Sequence, residues 1–222
     1  MRRRLLEVLT RPEPRLFLLH GPAGTGKTTA VRHAIEMLGL RALWRGQEPA
    51  FVSDPEVVVL DDLSLGGDPR VLEEWLERKP AVRLYVTSRE PVPKGVARHC
   101  GNGTGVCLGN RDLALTPEEV ENLCQHDWGW KLSREDTTWL AHFSAGWVAG
   151  LVMLRESALI HPAASIQNLP ELAEDTLLAY LEEELLAPVP AFRQFLQETS
   201  LPETCDVQTA VDGCPPDRKR GR

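Results

Sequence analysis

A glycine-rich segment near the N-terminus has the residue types and the spacing that bind phosphate. Residues 21–28 read Gly-Pro-Ala-Gly-Thr-Gly-Lys-Thr, which fits the pattern G-x-x-x-x-G-K-S/T at every position. Glycines let backbone N–H groups turn toward phosphate oxygens, a lysine can reach the terminal phosphates, and the hydroxyl of Thr28 is placed to bind Mg²⁺. A purely structural glycine loop is the competing interpretation. The predicted nucleotide-binding residues are Gly21, Pro22, Ala23, Gly24, Thr25, Gly26, Lys27, Thr28 and Thr29.

Polar side chains follow two apolar runs further along the chain. Asp61 and Asp62 come directly after Val57–Leu60, and Arg89 closes the Thr-Ser-Arg sequence that ends the run 82–86. Ligands of open α/β sheets bind at the carboxyl ends of the strands, so we expect these groups near the phosphates. We predict that Asp61 holds Mg²⁺ through water, that Asp62 orients the attacking water, and that Arg89 senses the γ-phosphate. A solvated Asp pair and an ordinary surface arginine are the alternatives.

The elements that must position these residues alternate between strands and helices in the first half of the chain. Continuous apolar runs indicate strands that are covered on both faces, as in a parallel sheet. The predicted strands are 16–20, 42–45, 57–60, 82–87 and 106–108. Residues 28–38 place apolar side chains on one helical face, and Gly39 predicts the end of that helix. Only 11 residues link the second strand to the third, which is short for a parallel crossover.

The signals in the second half of the chain are wholly helical. Thr116-Pro117-Glu118-Glu119 is a capping box with proline at the first helical position. Ser133 opens the next helix, for which we expect Trp139, Leu140 and Phe143 to face inward. Further helices are predicted up to Ile160, through Leu177, Leu178, Leu181 and Leu185 to Pro188, and around 192–196.

Composition narrows the class of protein. A net charge of −7 argues against non-specific nucleic-acid binding, and we interpret the basic residues at 2–4 and 218–222 as solvated tails. The five cysteines show no metal-ligand spacing, so we expect reduced, structural thiols. The sequence contains no signal peptide pattern and no apolar run long enough to cross a bilayer, which predicts a cytoplasmic protein.

With these motifs in this order, the sequence resembles the STAND class of signal-transduction ATPases, most closely the branch found in maltose-operon and LuxR-type transcriptional activators. The segments that carry the resemblance are 21–29, 57–63, 86–89, 113–123, 143–151 and 180–201. It implies an α/β fold: a P-loop NTPase parallel sheet with helices on both faces, an all-helical lid and the start of a winged-helix region. The corresponding boundaries are 1–115 for the core, 116–187 for the lid, and 188–222 for the partial winged-helix region and tail.

The resemblance also implies a function. ATP binding would favour an open, self-associating form, a partner or inducer would control exchange, and any hydrolysis would be slow. The implied cofactors are ATP or ADP and Mg²⁺, and the implied partners are a second copy or a regulatory protein, with no membrane. Because the chain ends soon after the winged-helix region begins, we expect it to lack its own DNA-binding domain.

One residue of the helical half is implied to lie beside the base. Residues 146–148 read Gly-Trp-Val, where the family has a Gly-x-Pro element whose proline packs near adenine. Trp147 is therefore a candidate adenine-side residue, while an ordinary core tryptophan is the alternative. Val148 stands in the place of the proline.

Three functions remain open on the sequence alone. The first is a regulatory ATPase module, and the second is a degenerate nucleotide-binding interaction fragment without turnover. The third is a metabolic kinase, for which the sequence offers no acceptor site.

Overall fold

The computed structural model describes residues 2–44, 55–63, 76, 82–90 and 94–186. The chain divides into two compact units, Met1–Ala173 and Glu174–Arg222. The domain boundaries at 115 and 187 that the sequence suggests stay predictions. Residues 188–222 lie outside the described residues, and with them the predicted winged-helix region and the C-terminal basic residues.

Five parallel strands form the sheet of the first unit. They are β1 (Leu16–His20), β2 (Ala42–Trp44), β3 (Val57–Leu60), β4 (Arg83–Ser88) and β5 (Gly105–Leu108). Their order is β2-β3-β4-β1-β5, and every neighbouring pair is parallel. The predicted α/β sheet is therefore confirmed, including the second strand, although its link to β3 is short.

Side chains of the central strands alternate between two buried faces. Phe17 and Leu19 of β1 pack on the side that α1 (Arg3–Leu9) and α2 (Lys27–Leu38) cover. Leu16 and Leu18 lie in a second apolar cluster with side chains of β3 and β4. Successive residues of a strand point to opposite faces, so a run that is apolar throughout is stable only when both faces are covered.

The helical region of the first unit, residues 117–172, begins with the predicted capping box. The amide of Glu119 donates to Thr116 Oγ1 at 3.3 Å, and the amide of Thr116 donates to Glu119 Oε2 at 3.0 Å. The helices that join or follow the sheet are α3 (Lys94–Gly101), α4 (Asn110–Leu113), α5 (Pro117–Asn122), α6 (Arg134–Ser144), α7 (Val148–Ile160) and α8 (Leu169–Leu172). A π-helical turn, Leu123–Asp127, extends α5, and a 3-10 turn, Ile166–Asn168, precedes α8.

The inward face predicted for α6 is wrong for Phe143 and only partly met by Trp139. Leu140 is fully buried, but Phe143 is 49% exposed and its ring stacks on the partly exposed Trp139 at a centroid distance of 4.8 Å. The buried stripe of α6 runs through Thr137, Leu140 and Ser144. These positions are three and four residues apart, so the aromatic pair, itself four apart, lies on the neighbouring stripe.

Two cysteines also depart from expectation. Cys100, near the end of α3, and Cys107, in β5, form a disulfide with a Cα–Cα distance of 6.1 Å. The reduced state expected for all thiols is wrong for this pair, because folding brings α3 beside β5, which cysteine spacing does not reveal. Cys124 is a buried free thiol, and burial raises its pKa to about 11. Cys205 and Cys214 lie outside the described residues.

The second unit is described over residues 174–186. It contains α9 (Glu174–Leu181) and a π-helical turn, Glu182–Leu186, within the range predicted as the fourth helix. Leu178 is exposed rather than buried. Among the helices described in the whole chain, none combines the length and the apolar character needed to span a membrane.

Candidate functional site

The glycine-rich loop lies between the buried strand β1 and helix α2, as predicted. Gly24 and Gly26 adopt left-handed backbone angles, with φ of +73° and +78°. Side chains rarely tolerate that region, so glycine is needed at both positions. Gly26 is the residue before the first turn of α2, and it has no side chain to cap the helix. The N–H groups of this turn and the positive end of the helix dipole are therefore available to an anion.

Lys27 turns back into the loop that precedes it. Its Nζ donates to the carbonyl oxygens of Gly21 at 2.7 Å and Pro22 at 2.8 Å. Burial lowers the pKa of Lys27, and the nearby Asp62 carboxylate opposes this effect. The loop therefore holds the ammonium group of Lys27 against two of its own backbone carbonyls.

Asp61 joins the loop to two neighbouring strands. Its Oδ1 accepts from Thr28 Oγ1 at 2.8 Å and from Thr87 Oγ1 at 2.6 Å. The Thr87 hydroxyl in turn accepts from the amide of Asp62 at 2.8 Å. The strand order explains this cluster: β4 lies between β1 and β3, so its last residues can bridge the loop after β1 and the aspartates after β3. Thr87 lies in the segment 86–89, but its bridging role was not predicted from the sequence.

Asp62 and Arg89 are brought together at the outer side of the same cluster. Arg89 Nε donates to Asp62 Oδ1 at 3.1 Å. The side chains remain 42% and 59% exposed for Arg89 and Asp62, respectively, so solvent screens the attraction. Asp62 has φ of +48°, which is unusual for a residue with a side chain and marks a sharp turn directly after β3.

The helical region contacts the back of the loop. Trp147 Nε1 donates to the carbonyl oxygen of Ala23 at 3.1 Å, and the amide of Ala149 donates to the carbonyl oxygen of Gly24 at 3.0 Å. The preceding residue, Gly146, has φ of +74°, and a Cβ there would overlap the backbone of Leu115. The start of α7 is thus tied to the loop by backbone and indole contacts.

A cavity of about 150 Å³ lies beside the first turn of α2. It is lined by Arg2, Leu6, Gly26, Thr29, Ala30, His33, Leu115, Glu119, Leu123, Asp127 and Val148. Val148, which stands where the resembling family has proline, therefore lines the cavity. Its neighbour Trp147 is not among the lining residues and contacts the loop instead.

The interpretation of residues 2–4 as a solvated tail is wrong for Arg2, which lines this cavity, and for Arg4, which contacts the chain before α5, whereas the Arg3 side chain is exposed as expected. Arg2 Nη1 donates to the carbonyl oxygen of Thr25 at 2.8 Å, and Arg4 Nη2 donates to those of Asp112 and Ala114 at 2.9 and 3.1 Å. Burial lowers the pKa of Arg2, and the Glu119 carboxylate opposes this effect. The apolar stripe of the adjoining helix α1 was the sequence signal that this segment packs against the domain.

Comparison with known structures agrees with the overall fold. No protein-family model matches the chain, and no curated protein matches it. The structure is similar to a solved structure described as the Walker-type ATPase PABY2304 of Pyrococcus abyssi, with a TM-score of 0.52. The sequences are 14% identical, and the match covers 89% of this chain and 77% of that chain. The fold is that of a P-loop NTPase.

Proposed function

We propose that this chain binds ATP with Mg²⁺ at residues 21–29 and acts as a slowly hydrolysing signal-transduction switch of the STAND type. The observation that carries the proposal is the single cluster formed by Lys27, Thr28, Asp61 and Thr87 at the carboxyl ends of β1, β3 and β4. The cluster places a lysine, a hydroxyl and a carboxylate around an open helix N-terminus, which is the chemistry that a triphosphate requires.

Lys27 supplies the cation for the phosphates. At present its Nζ donates to two backbone carbonyls. A phosphate oxygen is a stronger acceptor than a neutral carbonyl, because both partners of that hydrogen bond carry charge. Exchange of the carbonyls for the β- and γ-phosphates would therefore favour the bound state.

Thr28 and Asp61 fit a magnesium ion through their oxygen atoms. Within the part of the chain that the structure describes, no group of three or more His, Cys, Asp or Glu side chains is arranged to hold a metal. Mg²⁺ keeps several waters and takes substrate phosphates as ligands, so one hydroxyl and one carboxylate suffice on the protein. The bound ion would neutralise phosphate charge. We assign Thr28 as a direct ligand and Asp61 as a ligand through water.

Asp62 and Arg89 are our candidates for turnover and for sensing the γ-phosphate. The two side chains pair with each other at 3.1 Å. For Asp62 to orient a water and for Arg89 to meet the γ-phosphate, this exposed pair must separate. The same pair favours a second candidate function, a nucleotide-binding interaction module without turnover, in which the two side chains stay engaged with each other.

The contacts between the loop and the helical region support a switch. Ala23 and Gly24 of the loop accept hydrogen bonds from Trp147 and Ala149 at the start of α7. A loop that adjusts around phosphates would move these carbonyls and, through them, the helices. We expect the readout to be self-association or binding of a regulatory protein in the cytoplasm, and we expect Trp147 to act through its contact with the loop.

Nucleotide binding is tested by titration calorimetry with ATP and Mg²⁺. Lys27→Ala should weaken affinity about 100-fold or more, because it removes two charge-assisted hydrogen bonds to phosphate. Lys131→Ala is the matched control: Lys131 is an exposed lysine remote from the loop in sequence, and its loss should leave affinity unchanged. Equal affinity of wild type and Lys27→Ala would refute the proposal.

Phosphate release separates the two candidate functions. Slow release by the wild type that is lost in Asp62→Asn, with ATP still bound, would establish turnover. Binding without release in both proteins would favour the interaction module. Release that depended on an added small acceptor would instead support a kinase.

A further inference from the structure

Glu119 lines the cavity beside α2, and one oxygen of its carboxylate is buried without a partner among the described residues. Glu119 is 11% exposed, and its Oε2 accepts the capping-box hydrogen bond from the amide of Thr116 at 3.0 Å. Its Oε1 is buried and has no hydrogen-bond partner among the described residues. Such an atom is costly to bury unless something donates to it.

Arg2, which also lines the cavity, carries the complementary charge. Arg2 uses Nη1 to hold the loop, while its Nε and Nη2 are buried without partners in the described part of the chain. The attraction between Arg2 and Glu119 acts on the pKa of Arg2, which indicates that the two charges lie near each other. The positive charge makes burial of the carboxylate tolerable and still leaves Oε1 unpaired.

The remaining lining of the cavity is largely apolar, and its volume fits an aromatic ring. Leu6, Leu115, Leu123 and Val148 supply apolar walls, and Gly26 at the start of α2 marks the end that adjoins the phosphate loop. A volume of about 150 Å³ is of the size that admits one aromatic ligand. A nucleotide whose phosphates lie in the loop would therefore place its base here.

We propose that Glu119 is the residue that selects the base, because its free Oε1 accepts a hydrogen bond from the exocyclic amino group of adenine. The inference rests on the nucleotide binding proposed above. A purine with no group at this ring position leaves Oε1 unpaired. A purine with a carbonyl there brings a second acceptor toward the carboxylate, which repels it. Buried polar groups that lose their partner discriminate strongly between otherwise similar ligands.

The test compares ATP with two analogues that share its ribose and triphosphate: purine ribonucleoside triphosphate, which lacks the amino group, and inosine triphosphate, which carries a carbonyl. Calorimetry on the wild type should give about tenfold weaker binding of the first, since the hydrogen bond has a charged acceptor. Inosine triphosphate should bind more weakly still. Equal affinity for all three nucleotides would overturn the inference while leaving the proposed function intact.

Glu119→Gln is the decisive variant, because glutamine also completes a capping box. With its carbonyl oxygen on the Thr116 amide, glutamine turns its own N–H toward the cavity. The preference for ATP over inosine triphosphate should then fall about tenfold or more. Glu119→Ala should bind ATP and purine ribonucleoside triphosphate equally. This second variant keeps the inference testable if Glu119→Gln does not fold.

Thr116→Ala is the matched control, because it removes the other half of the capping box and keeps the carboxylate. Its thermal stability should fall, but its preference among the three nucleotides should equal that of the wild type. A preference that persists unchanged in folded Glu119→Gln and Glu119→Ala would overturn the inference. If the wild type bound none of the nucleotides, the inference and the proposed function would both fail.

Discussion

The two sides of the glycine-rich loop differ in how their polar groups are satisfied. On the proposed phosphate side, Lys27, Thr28, Asp61 and Thr87 donate and accept among themselves and the loop backbone. On the proposed base side, the apolar cavity is lined by Arg2 and Glu119, whose side chains have buried atoms without partners in the described residues. The first side is thus a cluster of paired polar groups, whereas the second is an apolar pocket with unpaired polar atoms at its lining.

This difference separates affinity from selectivity. Groups that bind the triphosphate contact a part that every nucleoside triphosphate shares, so they affect the affinity for all of them alike. Unpaired groups beside an apolar wall distinguish one base from another. Substitutions on the phosphate side should therefore weaken all nucleotides together, whereas substitutions on the base side should alter stability or preference.

The largest expected effect tests how tightly the turn before α7 packs against the segment before α5. Gly146→Ala should destabilise the protein by about 3 kcal/mol, because it combines a left-handed backbone with overlap on Leu115. Gly39→Ala is the matched control: its φ is +62°, but no atom lies within 4 Å of an added Cβ. It should cost only about 1 kcal/mol. Urea unfolding measures both, and equal costs would show that the packing at Leu115 is loose.

A smaller effect should appear on the phosphate side. Asp61→Asn should weaken ATP binding by about 2 kcal/mol in the presence of Mg²⁺, because a neutral amide holds the water ligands of the ion less strongly than a carboxylate does. Without the metal, wild type and variant should bind alike. Calorimetry with Mg²⁺ and with a chelator gives the comparison. An identical loss in both conditions would assign Asp61 a structural role instead.

The smallest effect concerns the indole that ties the two sides together. Trp147→Phe keeps an aromatic ring but removes the hydrogen bond to Ala23, which should cost about 1 kcal/mol, or about fivefold in affinity. The loss should be the same for ATP and for inosine triphosphate, because Trp147 contacts the loop and not the cavity. A loss confined to ATP would instead place the indole at the base, among the groups that select the nucleotide.

The phosphate side was predictable from sequence because its parts are contiguous motifs. Each motif can be recognised from its spacing and from the apolar strand before it. These motifs are residues 21–28, the aspartates after β3 and Arg89 after β4. The structure brings these residues to the same edge of the sheet, as parallel strands require. Thr87 was missed as a bridge because only the strand order, with β4 between β3 and β1, places its hydroxyl between Asp61 and the loop.

The sequence by itself determined the sheet, the loop and the helix that follows it, because continuous apolar runs, left-handed glycines and capping residues act through neighbours in the chain. Only the tertiary structure decided the base side. Arg2 meets Thr25 across 23 residues, and Trp147 meets Ala23 across 124. Such contacts depend on how separate elements pack, and no local pattern encodes which distant residues Arg2 and Trp147 will meet.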